Sequence, residues 1–356
     1  MGKLSVIIPY VLEWPLPAFT VRSIIEDLDG RIDYEIILID NYCDAVMKQQ
    51  VNRVYNDFDI SCGNFTKKEV PVVKHLLKSG KPESEIKAIL FEMVKNDRTN
   101  EQFKYMQKYM PCLKVLQYDK TLSHWQAKNL AIKESTGDIL CFIDAHCMLG
   151  RDALYDMFYY YEGNHKTLNG SIHLPLSYHI IEQKKLAYKL VSRPEESVVE
   201  YSFTTYAPKG QDIYEVPCMS TCGMMITKKM LVDDIGGWPT ELGIYGGGEN
   251  FLNFTMSVLG FKKWVKAGNA LHHHGDTRKY SWDFNNHLRN KTIANYIFGG
   301  REFVINFMDH SKGGTEQKLL ILDDVLTNKS INEHHDFIQA NKVISIEEWA
   351  KKYDMG

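Results

Sequence analysis

Strong charge of either sign is missing from this chain. Forty-two Lys and Arg stand against 45 Asp and Glu in 356 residues, a net charge of -3. That balance excludes a protein holding nucleic acid chiefly by bulk electrostatics, and leaves room only for a local basic groove. Cysteine pairing is lacking too. The seven cysteines, Cys43, Cys62, Cys112, Cys141, Cys147, Cys218 and Cys222, are odd in number and show no CxxC spacing, so they read as buried thiols of a reducing compartment. No apolar run approaches the roughly 20 residues that span a bilayer, and the first strand-like segment starts at Leu4, with no stretch before it for a signal peptide. Val6 stands where myristoylation of Gly2 requires Ser or Thr. A cytoplasmic location is the expectation. No GxGxxG follows the first strand and there is no Walker loop, no internal repeat and no low-complexity segment.

What is present is a core-forming composition, 44% hydrophobic, in a regular order. LSVIIPY, YEIILID, LKVLQY and DILCFID are short apolar runs, separated by helical stretches near Phe19 to Leu28, Val46 to Asn56 and Ser123 to Lys133. Such βαβ order implies a parallel sheet covered on both faces. Ser61 to Pro111 interrupts it with Lys- and Glu-rich helical periodicity and reads as a helical insertion at the sheet edge. Beyond Gly150 come a helix in RDALYDMFYYYE, strand-like NGSIHLP, a polar stretch from Glu182 to Gln211, strand-like TCGMMIT and KKWVKAG, and a helical tail. The last helix opens on Ser345 as N-cap with Glu348 as its capping-box partner. The expected division is 1–300 for the main domain, with halves 1–150 (insertion about 61–111) and 151–300, and a helical extension over 301–356.

In open α/β sheets ligands bind beyond the carboxyl ends of the strands. Three ends here are polar: LSVIIPY runs on to Glu13, EIILID ends in Asp40 and Asn41, and ILCFID leads to Asp144 and His146. A carboxylate in such a place also serves as a helix cap or turn residue. In extended backbone Asp144 and His146 point the same way, so both can reach one ion, and a carboxylate with an imidazole suits Mn2+, Mg2+ or Zn2+; the alternative is a surface Asp beside a structural His. His272, His273 and His274 follow KKWVKAG, and alternation puts His272 and His274 on one side. A solvated loop and a three-histidine zinc site are the competing readings.

The order SVIIPY, Glu13, EIILIDN and LSHWQAKNLAIKESTGDILCFIDAH resembles the nucleotide-sugar-dependent glycosyltransferases of the GT-A fold, family 2 type, over about Leu4 to Tyr280. The resemblance implies a mostly parallel sheet flanked by helices. It also implies a donor site that includes Pro9, Glu13, Asp40, Lys128, Asn129, Asp138, Asp144 and Ala145, with Glu13 and Asp40 on the base or ribose. The Asp-x-His form and the segment STCGMMITKKMLVDDIGGWPTELGIYGGGENFLNF are similar to polypeptide N-acetylgalactosaminyltransferases, which pair Asp-x-His with a distant histidine. His272 fits that place best and His274 second. The implied cofactor is Mn2+ (or Mg2+) and the implied donor a UDP-sugar. The sequence departs at Leu12, where the family commonly has Asn, at Asn41, where it has a second Asp, and at Asn250, where inverting family 2 enzymes carry their general base.

The resemblance makes Glu249 and Asn250 the catalytic pair and, since Asn250 cannot take a proton, favours retention at the anomeric carbon. Trp238 is a candidate to stack on sugar or acceptor, a buried aromatic being the alternative; Arg278 and Tyr280 are candidates to clamp the diphosphate. Gly246, Gly247 and Gly248 form either a mobile loop or a tight turn. The acceptor, whether protein, glycan or modified DNA base, stays open, as does the oligomeric state. Two rivals remain: a nucleotide-sugar or glycan-binding protein of the same fold, and a nucleotidyltransferase, whose basic Gly-rich first loop VLEWPLPAF does not supply.

Overall fold

A computed structural model describes residues 2–95, 98–178, 185–193, 198–205, 211–274 and 280–352. Strand and helix alternate through β1 (Leu4–Tyr10), α1 (Leu16–Leu28), β2 (Tyr34–Asp40) and α2 (Asp44–Asn56). Three helices, α3 (Glu69–Leu77), α4 (Glu83–Val94) and α5 (Arg98–Gln107), occupy the interrupting stretch before β3 (Leu113–Gln117), α6 (His124–Glu134) and β4 (Ile139–Phe142). Then follow β5 (Cys147–Leu149), α7 (Ala153–Leu168), β6 (Gly170–His173), β7 (Leu176–Tyr178), β8 (Lys185–Arg193), β9 (Val198–Thr205), β10 (Ile213–Glu215) and β11 (Met224–Thr227). The remainder is α8 (Gly248–Val258), β12 (Lys262–Lys266), β13 (Leu271–His273), α9 (Phe284–Gly299), α10 (Arg301–His310), α11 (Thr315–Thr327), α12 (Lys329–Asn341) and α13 (Ile346–Lys351). Among the described residues no helix is long and apolar enough to cross a membrane.

The central sheet runs β10-β12-β6-β11-β4-β1-β2-β3, and a second sheet runs β5-β13-β7-β8-β9. β4, β1, β2 and β3 are mutually parallel, while β11 is antiparallel to both β4 and β6. Successive residues of a strand face opposite sides, and β1 shows the result. Ile7 packs on one face with Ile37, Ile39, Trp125 and Ala131; Leu4, Val6 and Ile8 pack on the other with Val21 and Ile24 of α1 and Phe158 of α7. Burial on both faces is why these strands are apolar throughout rather than alternating. The inserted helices make a smaller core with α2, from Val46, Val51, Val73, Ile86 and Leu90.

Two readings of the sequence change here. The polar stretch from Glu182 holds a β-hairpin: β8 and β9 pair antiparallel from Leu186 opposite Thr205 to Arg193 opposite Val198. The run ILCFID is strand only to Phe142, and Ala145 and His146 lie in a turn leading into β5. The capping box at Ser345 and Glu348 forms as its spacing implies.

Candidate active site

The turn between β4 and β5 is pinned from below. Thr20 of α1, 1% exposed, sets its Oγ1 2.9 Å from the Ala145 carbonyl oxygen and 2.8 Å from that of Cys147, and accepts from the Cys147 N–H at 3.0 Å. Asp144 and His146 are therefore brought together by a fixed turn rather than by strand alternation. The third member comes from β13. Its Leu271 is fully buried, which fixes the strand's parity, and His273, two residues on, falls on the same side.

His273 Nε2 lies 3.0 Å from His146 Nε2 and 3.3 Å from Asp144 Oδ2. Ligand atoms of Asp144, His146 and His273 all lie within 4.8 Å of one another. The structure brings His273, rather than His272 or His274, to Asp144 and His146. Alternation runs the other way from the expectation, because Leu271 rather than His272 takes the inward position. His272 leaves its Nδ1 without a hydrogen-bond partner among the described residues, and His274, exposed, donates its backbone N–H to the His146 carbonyl at 2.9 Å. The three-histidine zinc alternative finds no cluster among the described residues.

Burial on its own raises the pKa of Asp144, but the hydrogen bond and charge of His273, with His146 and Lys128, outweigh it and hold the carboxyl well below the usual range. Glu13 closes the other side of His146: its Oε1 lies 2.8 Å from His146 Nδ1, and its Oε2 accepts from the Val11 N–H at 3.2 Å. The preceding Leu12 takes the left-handed φ of 55°, a conformation in which Asn or Gly sits more easily than Leu.

Beneath the turn lies Lys128, 2% exposed. Its Nζ is 4.7, 5.5 and 5.7 Å from the ring centroids of Trp125, Trp238 and Phe142, and 3.5 Å from Thr221 Oγ1. Burial lowers its pKa, against the pull of Asp144 and Glu249. The ammonium thus sits between the two acids, in a box of aromatic faces that favour a cation.

Glu249 lies in the first turn of α8, where an acid complements the helix dipole. Its Oε2 accepts from Tyr201 Oη at 2.6 Å; its Oε1 accepts from the Thr221 N–H at 3.0 Å and Ser220 Oγ at 3.2 Å. Asn250 is 3% exposed, and its Nδ2 has no hydrogen-bond partner among the described residues. The triple glycine is a tight turn. Gly247 has φ 73°, and a Cβ there would lie 2.3 Å from the Asn290 carbonyl oxygen, while one on Gly248 would lie 2.3 Å from the Trp125 ring.

The other expected site residues are placed as follows. Asp138 is exposed at the amino end of β4, across the sheet from the carboxyl ends where Asp144 follows. Asn129 holds backbone: its Nδ2 donates to the Trp238 carbonyl at 2.7 Å and its Oδ1 accepts from the Trp238 N–H at 3.1 Å. Trp238 is 1% exposed, packed edge-on against Phe142 and beside Trp125, so it takes the buried-aromatic alternative. Asp40 is fully buried and accepts from the Tyr42 N–H at 3.0 Å. Pro9 is half-buried in β1, and Ala145 is buried with its carbonyl on Thr20. Tyr280 packs against the core of the insertion, and Arg278 lies outside the described residues. Tyr201, Ser220, Thr221 and Thr20 carry no motif. Tyr201 alone had a signal, since alternation from the buried Val199 puts it on the inward face of β9.

The model of glycosyl transferase family 2 matches residues 70–232. The structure of GalNAc-T7 with UDP, GalNAc and Mn2+ superposes with a TM-score of 0.65 at 14% identity, covering 99% of this chain and 56% of that one. The fold is GT-A. The GT-A chain here spans just over half the length of GalNAc-T7. S. aureus TarS 1-349 in complex with UDP-GlcNAc is a looser likeness, at TM-score 0.49 and 12% identity over 99% of this chain and 91% of that one. No curated protein sequence matches.

Proposed function

We propose that this GT-A chain is a metal-dependent glycosyltransferase that moves a hexose or N-acetylhexosamine from a UDP-sugar to an acceptor hydroxyl. The observation that carries this reading is the convergence of Asp144, His146 and His273 beyond the carboxyl ends of β1 and β4, where such folds bind their ligands. One carboxyl oxygen and two imidazole nitrogens, clustered and partly open, suit Mn2+ better than Mg2+, which prefers oxygen ligands, and leave room for diphosphate oxygens. Such an ion, when bound, supplies Lewis-acid stabilisation of the departing nucleoside diphosphate.

The chain's own groups divide the remaining work. Asp144 and the two imidazoles would hold the ion. Lys128, under the turn, offsets the negative charge of Asp144 and Glu249 and so lowers the repulsion a diphosphate meets on entering. Glu249 orients sugar or acceptor rather than deprotonating it, because both its oxygens are engaged by Tyr201, Ser220 and Thr221. Asn250, adjacent, has no basic atom. With both oxygens of Glu249 engaged and Asn250 unable to take a proton, the acceptor proton goes to the leaving diphosphate, which corresponds to retention. The β8–β9 hairpin, reaching Glu249 through Tyr201, is the acceptor side of the site.

The test is a panel of UDP-, GDP- and CDP-sugars with Mn2+, scored by nucleoside diphosphate release. Wild type is expected to release UDP, and Asp144→Ala to lose at least two orders of magnitude of that rate. Release that is unchanged in Asp144→Ala defeats the assignment. Donor binding with no release under any condition leaves a binding protein of the same fold.

A further inference from the structure

Glu13 ends the first strand's run in the place where the resemblance puts a nucleobase contact. Its geometry serves something else. Oε1 is 2.8 Å from His146 Nδ1, and Oε2 is held by the backbone N–H of Val11. Both oxygens are thus engaged inside the protein, and the side chain is only 23% exposed. A carboxylate has nothing to donate, so the proton shared with His146 belongs to Nδ1. That leaves the Nε2 lone pair of His146 pointing to His273 Nε2, 3.0 Å away, in the ligand cluster.

The backbone carries a second mark of the same arrangement. Leu12 accepts a left-handed φ of 55° immediately before Glu13. Strain of this kind persists where the surrounding structure requires it. Here it turns the chain off β1 so that Glu13 meets an imidazole 133 positions further on.

From these contacts we infer that Glu13 is a positioning residue for the metal site, orienting His146 and fixing its tautomer, and does not read the uracil. A carboxylate behind a metal-ligating imidazole raises the basicity of that ligand and locks its plane. The inference rests on the metal-dependent reading above for the identity of the ion, but its tests require neither donor sugar nor turnover.

Mn2+ binding is measured without nucleotide, by loss of the free-ion electron paramagnetic resonance signal. Glu13→Ala is expected to bind Mn2+ 10- to 100-fold more weakly than wild type. Glu13→Gln, whose amide oxygen still accepts from Nδ1–H, is expected to recover most of that loss. At saturating Mn2+, the preference of Glu13→Ala for UDP over CDP and GDP is expected to match wild type. Mn2+ affinity within twofold of wild type in Glu13→Ala overturns the inference, and so does loss of base preference with metal affinity intact, which would return Glu13 to the nucleobase. Should Glu13→Ala not fold, the tautomer decides on the wild-type protein. Long-range ¹H–¹⁵N spectra of metal-free, histidine-labelled protein are expected to show His146 protonated at Nδ1, and protonation at Nε2 alone overturns the inference. A wild type with Glu13-dependent Mn2+ binding and no sugar transfer would instead fail the transferase reading and leave this one standing.

Discussion

At the scale of single residues, the site depends on groups that touch nothing but the chain. Thr20 is the clearest. Thr20→Val keeps the shape and removes the hydroxyl, leaving the buried Cys147 N–H and the Ala145 and Cys147 carbonyls without it. The expected loss is about 1–3 kcal/mol by urea unfolding, with Thr20→Ser restoring most of it. Mn2+ affinity should fall in parallel, because the same turn carries Asp144 and His146. The histidine run gives a sharper comparison. His273→Ala is expected to abolish Mn2+ binding at the site, and His272→Ala to change it by less than a few-fold; equal effects would contradict the strand parity that Leu271 sets. Here the sequence was legible for Asp144 and His146, which announce themselves by type and spacing. It was not legible for the third member of the cluster, because parity in a strand of three residues is decided by which neighbour is buried, and Leu271 is buried in a core that includes Leu174, Leu176 and Met225.

At the scale of elements, the turn into α8 and the loop after α2 make opposite predictions. Gly248 abuts the Trp125 ring so closely that Gly248→Ala must push the indole or the helix, an overpacking expected to cost about 1–3 kcal/mol in chemical denaturation. Phe58, by contrast, holds φ at 54° while 67% exposed. Phe58→Gly relieves strain of about 1–2 kcal/mol and loses little burial, but gives the unfolded chain freedom worth about 0.5–1 kcal/mol, so a net gain of up to about 1 kcal/mol is expected. Strand and helix order through Phe142 could be read from the sequence because β1 and β4 are buried on both faces and, with most of β2, apolar, while even the half-buried edge strand β3 keeps Leu113, Val115 and Leu116. The β8–β9 hairpin was missed because its Lys, Glu and Ser residues read as a polar loop, although Val199 and Tyr201 alternate with Glu200 and Ser202 in β9.

At the scale of the whole molecule, buried imidazoles set the acid limit. His173 is 5% exposed, and burial pushes its pKa down to about 4 from an ordinary 6.5; burial lowers His334 as well. The unfolded chain takes up these protons as pH drops below about 6.5 while the folded chain resists. Stability is therefore complete above that pH and is lost progressively toward pH 4. His173 alone accounts for about 3 kcal/mol of the loss. Urea midpoints at pH 7.5 and 5 should show the decline, and His173→Leu should flatten it. The tail acts at this scale too. Phe254 of α8 packs edge-on to Phe298 and to Trp349 of α13, Phe251 meets His334 of α12, and the Val343 N–H bonds the Val258 carbonyl. A chain cut after Gly300 is expected to be insoluble or to melt without a cooperative transition, and a soluble, cooperatively folding fragment would count against that packing. On the ribosome, then, the helix bearing Glu249 emerges before α12 and α13, and its back wall is complete only once those two helices have followed it out.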